Sequence, residues 1–311
     1  MEDLSGEPKS ETLILKGFLE ESIAEKRKKR RWSIFFRSIW VILVILIFLM
    51  VFRSNAEVSS TPNIALINIS GVISHSSDIN TNDITSALID AFKSDAKAIV
   101  LNINSPGGSP VVSDNIFQEV LYLKSLYPSK KVYAICDDIC ASGGYYIAAS
   151  ADKIYANRMS IVGSIGVKMD GFGFVEAIKK IGVSRRLYVS GSNKGFLDPF
   201  LKTSENQKKS IQIILDQAHN VFINSVLKGR GNKLDMSRKN IIFSGEPFDG
   251  IEAKNLGLID QYGSINTVKR EIGIDNVVNY TKKRGLLDRV ANRLGTEINT
   301  QIQSLYRATL N

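Results

Sequence analysis

Lys131-Val-Tyr-Ala-Ile-Cys-Asp-Asp-Ile-Cys-Ala-Ser-Gly-Gly-Tyr-Tyr-Ile-Ala-Ala-Ser150 is the stretch whose reading decides the fold. Its first six residues, Lys131 to Cys136, are rich in β-branched and aromatic side chains and read as a strand. Asp137 to Cys140 reads as a turn, and the small residues that follow read as the start of a helix. Ser142 then stands at a strand-to-helix elbow. A hydroxyl there points out over the sheet edge, and Gly143 and Gly144 let another backbone come close. Most serines ahead of a helix are only N-caps, so the elbow acquires chemical meaning from what surrounds it.

Working upstream, Ala98-Ile-Val-Leu-Asn-Ile103 is a nearly continuous apolar run, expected of a strand covered on both faces. It enters the turn Ser105-Pro-Gly-Gly-Ser-Pro110 and a helix from Val111 to Leu126. Before it, Asn63 to Ile69 is an apolar strand, and Thr81 to Phe92 is helical with Ile84, Leu88 and Ala91 on one face. Downstream, Lys153 to Tyr155 is a short strand, and Ser160 to Val167 is a small-residue turn entering another. Gly173 to Ile181 is a helix, Arg185 to Val189 a strand, and Gly191 to Phe200 a loop. Thr203 caps a long helix reaching about Lys228, with Ile211, Ile214, Leu215, Ala218 and Phe222 facing inward. Asp249 to Leu256 is a short helix and Leu258-Ile259 a short strand. Repeated strand-turn-helix units predict an α/β fold with a mostly parallel sheet and right-handed crossovers. Ligands of such folds gather at the carboxyl ends of the strands, where both Gly-Gly turns fall.

The termini set the organisation. Residues 1–31 form a polar, basic tail ending in Lys26-Arg-Lys-Lys-Arg-Arg31. From Ser33 to Phe52 only Arg37 is charged, and about 20 residues make roughly 30 Å of helix, enough to cross a bilayer. Residues 32–53 are therefore expected to be one transmembrane anchor, 54–62 a linker, 63–280 the main domain and 281–311 a basic amphipathic extension. A cleaved signal peptide is the competing reading of the anchor. Basic residues before the span predict a cytoplasmic N-terminus and an extracytoplasmic domain. Net charge is +9, but part of the excess is that one run, with no aromatics interleaved, which reads as a topology signal rather than a nucleic-acid patch. Two cysteines and two histidines give no metal-ligand spacing, and Cys136 and Cys140 read as buried thiols.

With only His75 and His219 present, a Ser-His-Asp triad has little to draw on. A nucleophilic Ser142 would need a lysine base, kept neutral by a dry setting without a carboxylate partner. Lys194, Lys168 and Lys153 are the candidates, and the residues alone do not rank them. Backbone amides at a glycine turn suit a developing oxyanion, which nominates Gly107, Gly108 and Gly143.

Several motifs together resemble the signal peptide peptidase A family of membrane-anchored serine proteases. They are Asn104-Ser-Pro-Gly-Gly108, Cys140-Ala-Ser-Gly-Gly-Tyr-Tyr146, Gly163-Ser-Ile-Gly-Val167, Lys194 ahead of Leu197-Asp-Pro-Phe200, Phe243-Ser-Gly-Glu246, and Ala253-Lys-Asn-Leu-Gly-Leu-Ile-Asp260. The resemblance runs over about residues 58–270 and implies a crotonase-like core shared with the Clp protease subunit. It implies a Ser/Lys dyad of Ser142 and Lys194, an oxyanion turn at Gly107 and Gly108, and a substrate groove at Gly163 and Ser164. It also implies a half-length form, with dyads completed between subunits of a homo-oligomer. A bacterial inner membrane is the implied location and cleaved signal peptides within it are the implied substrates, with no cofactor, metal or nucleic acid. The rival classes are a crotonase-type acyl-CoA enzyme and a catalytically idle membrane scaffold.

Overall fold

The computed structural model describes residues 26–46, 62–75, 80–191 and 193–282. The chain divides into two compact units, residues 1–60 and 61–311. In the first, residues 26–46 form helix α1, and the remainder of the expected span lies outside the described residues. Among the described residues no helix is long and apolar enough to cross a membrane. The basic extension after Lys282 also lies outside them.

The second unit is built on one sheet. Strands β1 (Ile64–Ser70), β2 (Ala98–Ser105) and β3 (Lys131–Ala141) are parallel neighbours. They are joined through helices α2 (Thr81–Lys93) and α3 (Pro110–Leu126). Along these strands alternate side chains enter two different cores. Ile67, Leu101 and Ala134 join the cluster beneath α2 and α3. Val100, Tyr133 and Ile135 join a smaller cluster on the opposite face with Val268 of α9 (Ile265–Ile272). Two covered faces are why the strands read as unbroken apolar runs. The strand order is β6-β5-β3-β2-β1-β8, with β4 (Lys153–Ala156) pairing β3 and β7 (Gln261–Tyr262). Strand β8 (Val277–Asn279) is parallel to β1, and only β6 (Pro247–Asp249) is antiparallel to its neighbour, β5 (Ile161–Gly163). The predicted α/β fold with a mostly parallel sheet is the one observed.

Three local expectations are corrected. Asp137 to Cys140 is no turn: β3 continues to Ala141 through an irregularity in which Cys136 faces Ile103 and Cys140 faces Ser105. Asp137 and Asp138 are exposed there, so the polar pair marks a bulge rather than a break. Arg185 to Val189 and Leu258-Ile259 form no strand, and the latter is replaced by β7 two residues on. The third concerns α6 (Glu205–Arg230). A capping box at Ser204 and Gln207 starts this helix, yet only Phe222, Ser225, Val226 and Arg230 are buried. Its N-terminal part leaves Ile213 and Ile214 58% and 50% exposed, because no described residue covers that face. No described residue between Gly166 and Val221 is buried, including all of α5 (Val175–Lys180).

Candidate active site

The site is assembled where β2 and β3 end. Helix α4 (Gly143–Ala148) follows β3 directly, and Ser142 is its N-cap at φ 52°, ψ −121° without a side-chain capping bond. A positive φ at serine is a conformation that L side chains avoid and that surrounding structure must hold. The Ser142 N–H donates to Gly163 O at 2.8 Å, and the Tyr146 N–H donates to Ser142 O at 2.9 Å. Both bonds spend backbone groups and leave the hydroxyl free to face outward.

The Pro106-Gly107-Gly108 turn is pressed against this elbow. A Cβ on Gly107 (φ +99°) would lie 2.7 Å from Ser142 Cβ and 2.8 Å from the Gly143 nitrogen. The three proposed amides are not equivalent. The Gly107 N–H donates to Ser105 Oγ at 3.1 Å. Gly108 pairs with Ile73 through its flanking residues: Ile73 N–H donates to Gly107 O and Ser109 N–H to Ile73 O. The Gly108 amide therefore points away from Ile73, and it donates to no described residue. Gly143, first residue of its helix, likewise has no intrahelical acceptor for its N–H. A Cβ built on Gly143 would lie 3.4 Å from the Gly108 nitrogen, so the two glycines with open amides are close neighbours beside Ser142. Such a pair of fixed donors can hold a developing oxyanion.

Ser164 (φ 51°) is a second strained serine, tied by its N–H to Glu246 O and by its hydroxyl to Gly245 O. Ser142, Gly108, Gly143 and Ser164 line a common cavity of about 630 Å³, with Gly163 bonded to its edge at Ser142. Val111 and Asp114 of α3, Tyr146, Val167, Lys168, and Ala218, Val221 and Phe222 of α6 complete much of the wall. Asp114 belongs to no motif, and the Cys140–Tyr146 motif that ends on Tyr146 does not report where its hydroxyl points. Burial pushes the Tyr146 hydroxyl up to about 12, with Ser225 opposing and Asp114 adding to it.

The three lysines separate. Lys153 is bonded to Glu271, on the far side of the sheet from the elbow. That bond, offset in part by burial, raises its ammonium above the ordinary range. Lys168 reaches the cavity, but it is 86% exposed and paired with Asp170 at 2.9 Å. It therefore lacks the dry, carboxylate-free setting that a lysine base requires. Lys194 does not line the cavity; it is exposed on the segment without buried residues, and its ammonium has no partner among the described residues. Within one chain, then, the elbow and both amides meet but Lys194 does not join them. His219 is bonded to Ile165 O at 2.9 Å and His75 is exposed, so neither serves Ser142. Cys136 and Cys140 are free and buried. Among the described residues no group of acidic, histidine or cysteine side chains could hold a metal ion.

Residues 125–279 match the profile of peptidase family S49, and residues 65–164 that of Clp protease. A Na(+)/H(+) antiporter NhaA of Brucella abortus is 40% identical over 204 residues, 65% of this chain and 27% of that protein. An Enterococcus faecium protein provisionally named signal peptide peptidase SppA is 36% identical over 179 residues, 56% of this chain and 51% of that one. A Synechocystis sp. protein provisionally named as a protease is 31% identical over 208 residues, 67% of this chain and 72% of that one. The chain thus spans about a quarter and a half of the first two relatives.

Proposed function

The chain belongs to peptidase family S49, and on that premise we propose that it is a serine endopeptidase in which Ser142 attacks the peptide carbonyl. The observation that carries this reading is the strained Ser142 elbow with two unpaired amides, of Gly108 and Gly143, beside it. The hydroxyl gives its proton to a neutral amine and adds to the carbonyl carbon. The resulting oxyanion is held by the two amides, and loss of one such donor costs about 100- to 1,000-fold in kcat. The amine then returns the proton to the leaving nitrogen, and water releases the acyl group by the same route in reverse. Gly107 contributes close packing against the nucleophile rather than a donor.

Lys194 is the proposed base, delivered by a neighbouring subunit. Two features support this. Lys194 stands away from its own Ser142 cavity, and the segment that carries it exposes Phe172 (83%), Ile181 (74%) and Tyr188 (90%) with no core of its own. A second copy covering that apolar surface would also dry the amine, which favours its neutral form. Val167 to Gly173 pair with no strand among the described residues, so an extended peptide can add there as a strand. Gly163 and Ser164 form the adjoining wall of that groove. Peptide chains, and cleaved signal peptides within a bilayer in particular, are the proposed substrates. The charge run before the apolar stretch supports a single membrane anchor, with the catalytic unit outside the cytoplasm. Assemblies mixed from Ser142→Ala and Lys194→Ala chains test the shared site. Each homogeneous variant is expected to be inactive, and a one-to-one mixture to regain about a quarter of the wild-type rate if sites pair at random. An inactive mixture of properly assembled subunits would exclude a base supplied in trans.

A further inference from the structure

The cavity beside Ser142 is mostly apolar, but it contains one carboxylate with no cation. Asp114, half-buried on α3, accepts two hydrogen bonds through the same oxygen, Oδ1: from the Tyr146 hydroxyl at 2.8 Å and from Gln118 Nε2 at 3.0 Å. The Tyr146 proton is committed to Asp114, so Ser225, 2.7 Å away, donates to the tyrosine oxygen in turn. The carboxylate is thereby oriented from behind. No described residue bonds Oδ2 or forms an ion pair with Asp114. The other charged residue of the cavity wall, Lys168, is engaged with Asp170.

Tyr146 lies one helical turn beyond Ser142, about 6 Å of rise, which is within reach of a lysine side chain extending from the attacked residue. The route is apolar: the Phe222 ring packs tilted against the Tyr146 ring with centroids 4.7 Å apart, and Val221 and Ala218 line the same wall. When the Gly108 and Gly143 amides hold the attacked carbonyl, the side chain nearest the cavity is that of the residue owning this carbonyl. An apolar passage ending in an oriented, unpaired carboxylate matches a long aliphatic stem with a cationic tip.

We propose that Asp114 is a specificity-determining residue, and that the cavity takes a lysine or arginine side chain from the residue whose carbonyl is attacked, its charge resting on Asp114 Oδ2. This rests on the endopeptidase reading and adds a charge contact to the apolar wall of the cavity.

The test uses the assembled full-length chain and peptide pairs identical except at that residue: lysine against norleucine, which has the same stem without the ammonium. Wild-type kcat/KM is expected to favour lysine about tenfold, the ratio that one pKa unit's worth of charge contact provides. Added salt should reduce the preference. Asp114→Asn keeps the shape and the acceptor for Tyr146, and it should bring the ratio to about one. The same change in ratio should appear in peptide affinity measured by anisotropy on the Ser142→Ala chain. A wild-type ratio near one, or a ratio that Asp114→Asn leaves unmoved, with both peptides cleaved in a Ser142-dependent way, overturns this inference and leaves the endopeptidase standing. Absence of cleavage of every peptide, together with no labelling of Ser142 by a fluorophosphonate, overturns both.

Discussion

Replacing Gly107 by alanine offers a sharp trial of the site, because the cost divides into parts that a second glycine can isolate. Gly107 sits at φ +99°, and its new Cβ would meet Ser142 Cβ at 2.7 Å, the Gly143 nitrogen at 2.8 Å and Ala141 O at 3.0 Å. Two of these are backbone atoms and none is the far end of a flexible chain, so the elbow itself must shift. Gly71 has a similar φ, +108°, with nothing within 4 Å of its imagined Cβ. Gly71→Ala therefore reports backbone strain alone, about 1–3 kcal/mol. Gly107→Ala carries that strain plus overpacking of about 1–3 kcal/mol. For a unit of this size 1 kcal/mol moves the melting temperature by about 2–4 °C, so Gly107→Ala should melt about 2–12 °C below Gly71→Ala. A displaced Ser142 also loses its alignment with the Gly108 and Gly143 amides, which should lower kcat about 100- to 1,000-fold. Scanning calorimetry and peptide hydrolysis of the two variants supply the comparison. Equal melting temperatures with Gly107→Ala turning over within about threefold of wild type would mean that the turn does not hold the nucleophile, and the reasoning would be wrong.

Ser142→Gly should melt above Ser142→Ala by about 1 kcal/mol, since glycine accepts φ 52° and alanine does not, while both lose fluorophosphonate labelling. Lys194→Ala should abolish peptide hydrolysis without changing the assembled mass, and Lys194→Arg should be equally inactive because a guanidinium does not act as a proton acceptor. Asp260 holds the buried Arg230 guanidinium at 2.8 Å. Burial pushes the Asp260 carboxyl up, but the Arg230, Ile154 and Lys233 contacts prevail and hold it below the usual range. A lowered folded value means stability present above about pH 4 and lost as pH falls through that lower value. Asp260→Asn should remove that acid dependence and cost about 3–5 kcal/mol by leaving Arg230 without its counter-ion, as denaturant titrations at several pH values will read.

The α/β order was legible because each central strand packs on both sides, so most of its length is apolar. Ser142 was legible because glycines, a small-residue helix and a preceding strand make an elbow visible in one dimension. What escaped depends on partners distant in sequence. Only the Ser105 hydroxyl distinguishes the Gly107 amide from the Gly108 amide, and no spacing rule reports where a serine side chain turns. The apolar spacing of α6 marks a face, and periodicity does not say whether that face meets its own chain or another. Asp137-Asp138 has the composition of a turn; only pairing with both neighbours shows that the strand passes through it.

Strand β3 changes companions along one edge: Tyr133 to Cys136 run beside β4, and Ile139 to Ala141 run beside β5. The fabric of the sheet consequently forks where the two aspartates protrude, one branch leading to β7 and the other to β6. Ser142 emerges at the far end of the β5 branch, one residue past the Ala141–Gly163 pair. The nucleophile is thus carried by the branch that runs on into Ser164 of the cavity wall, while no described residue of β4 or β7 borders that cavity, so the two tines of the sheet divide the labour between holding the site and closing the far edge.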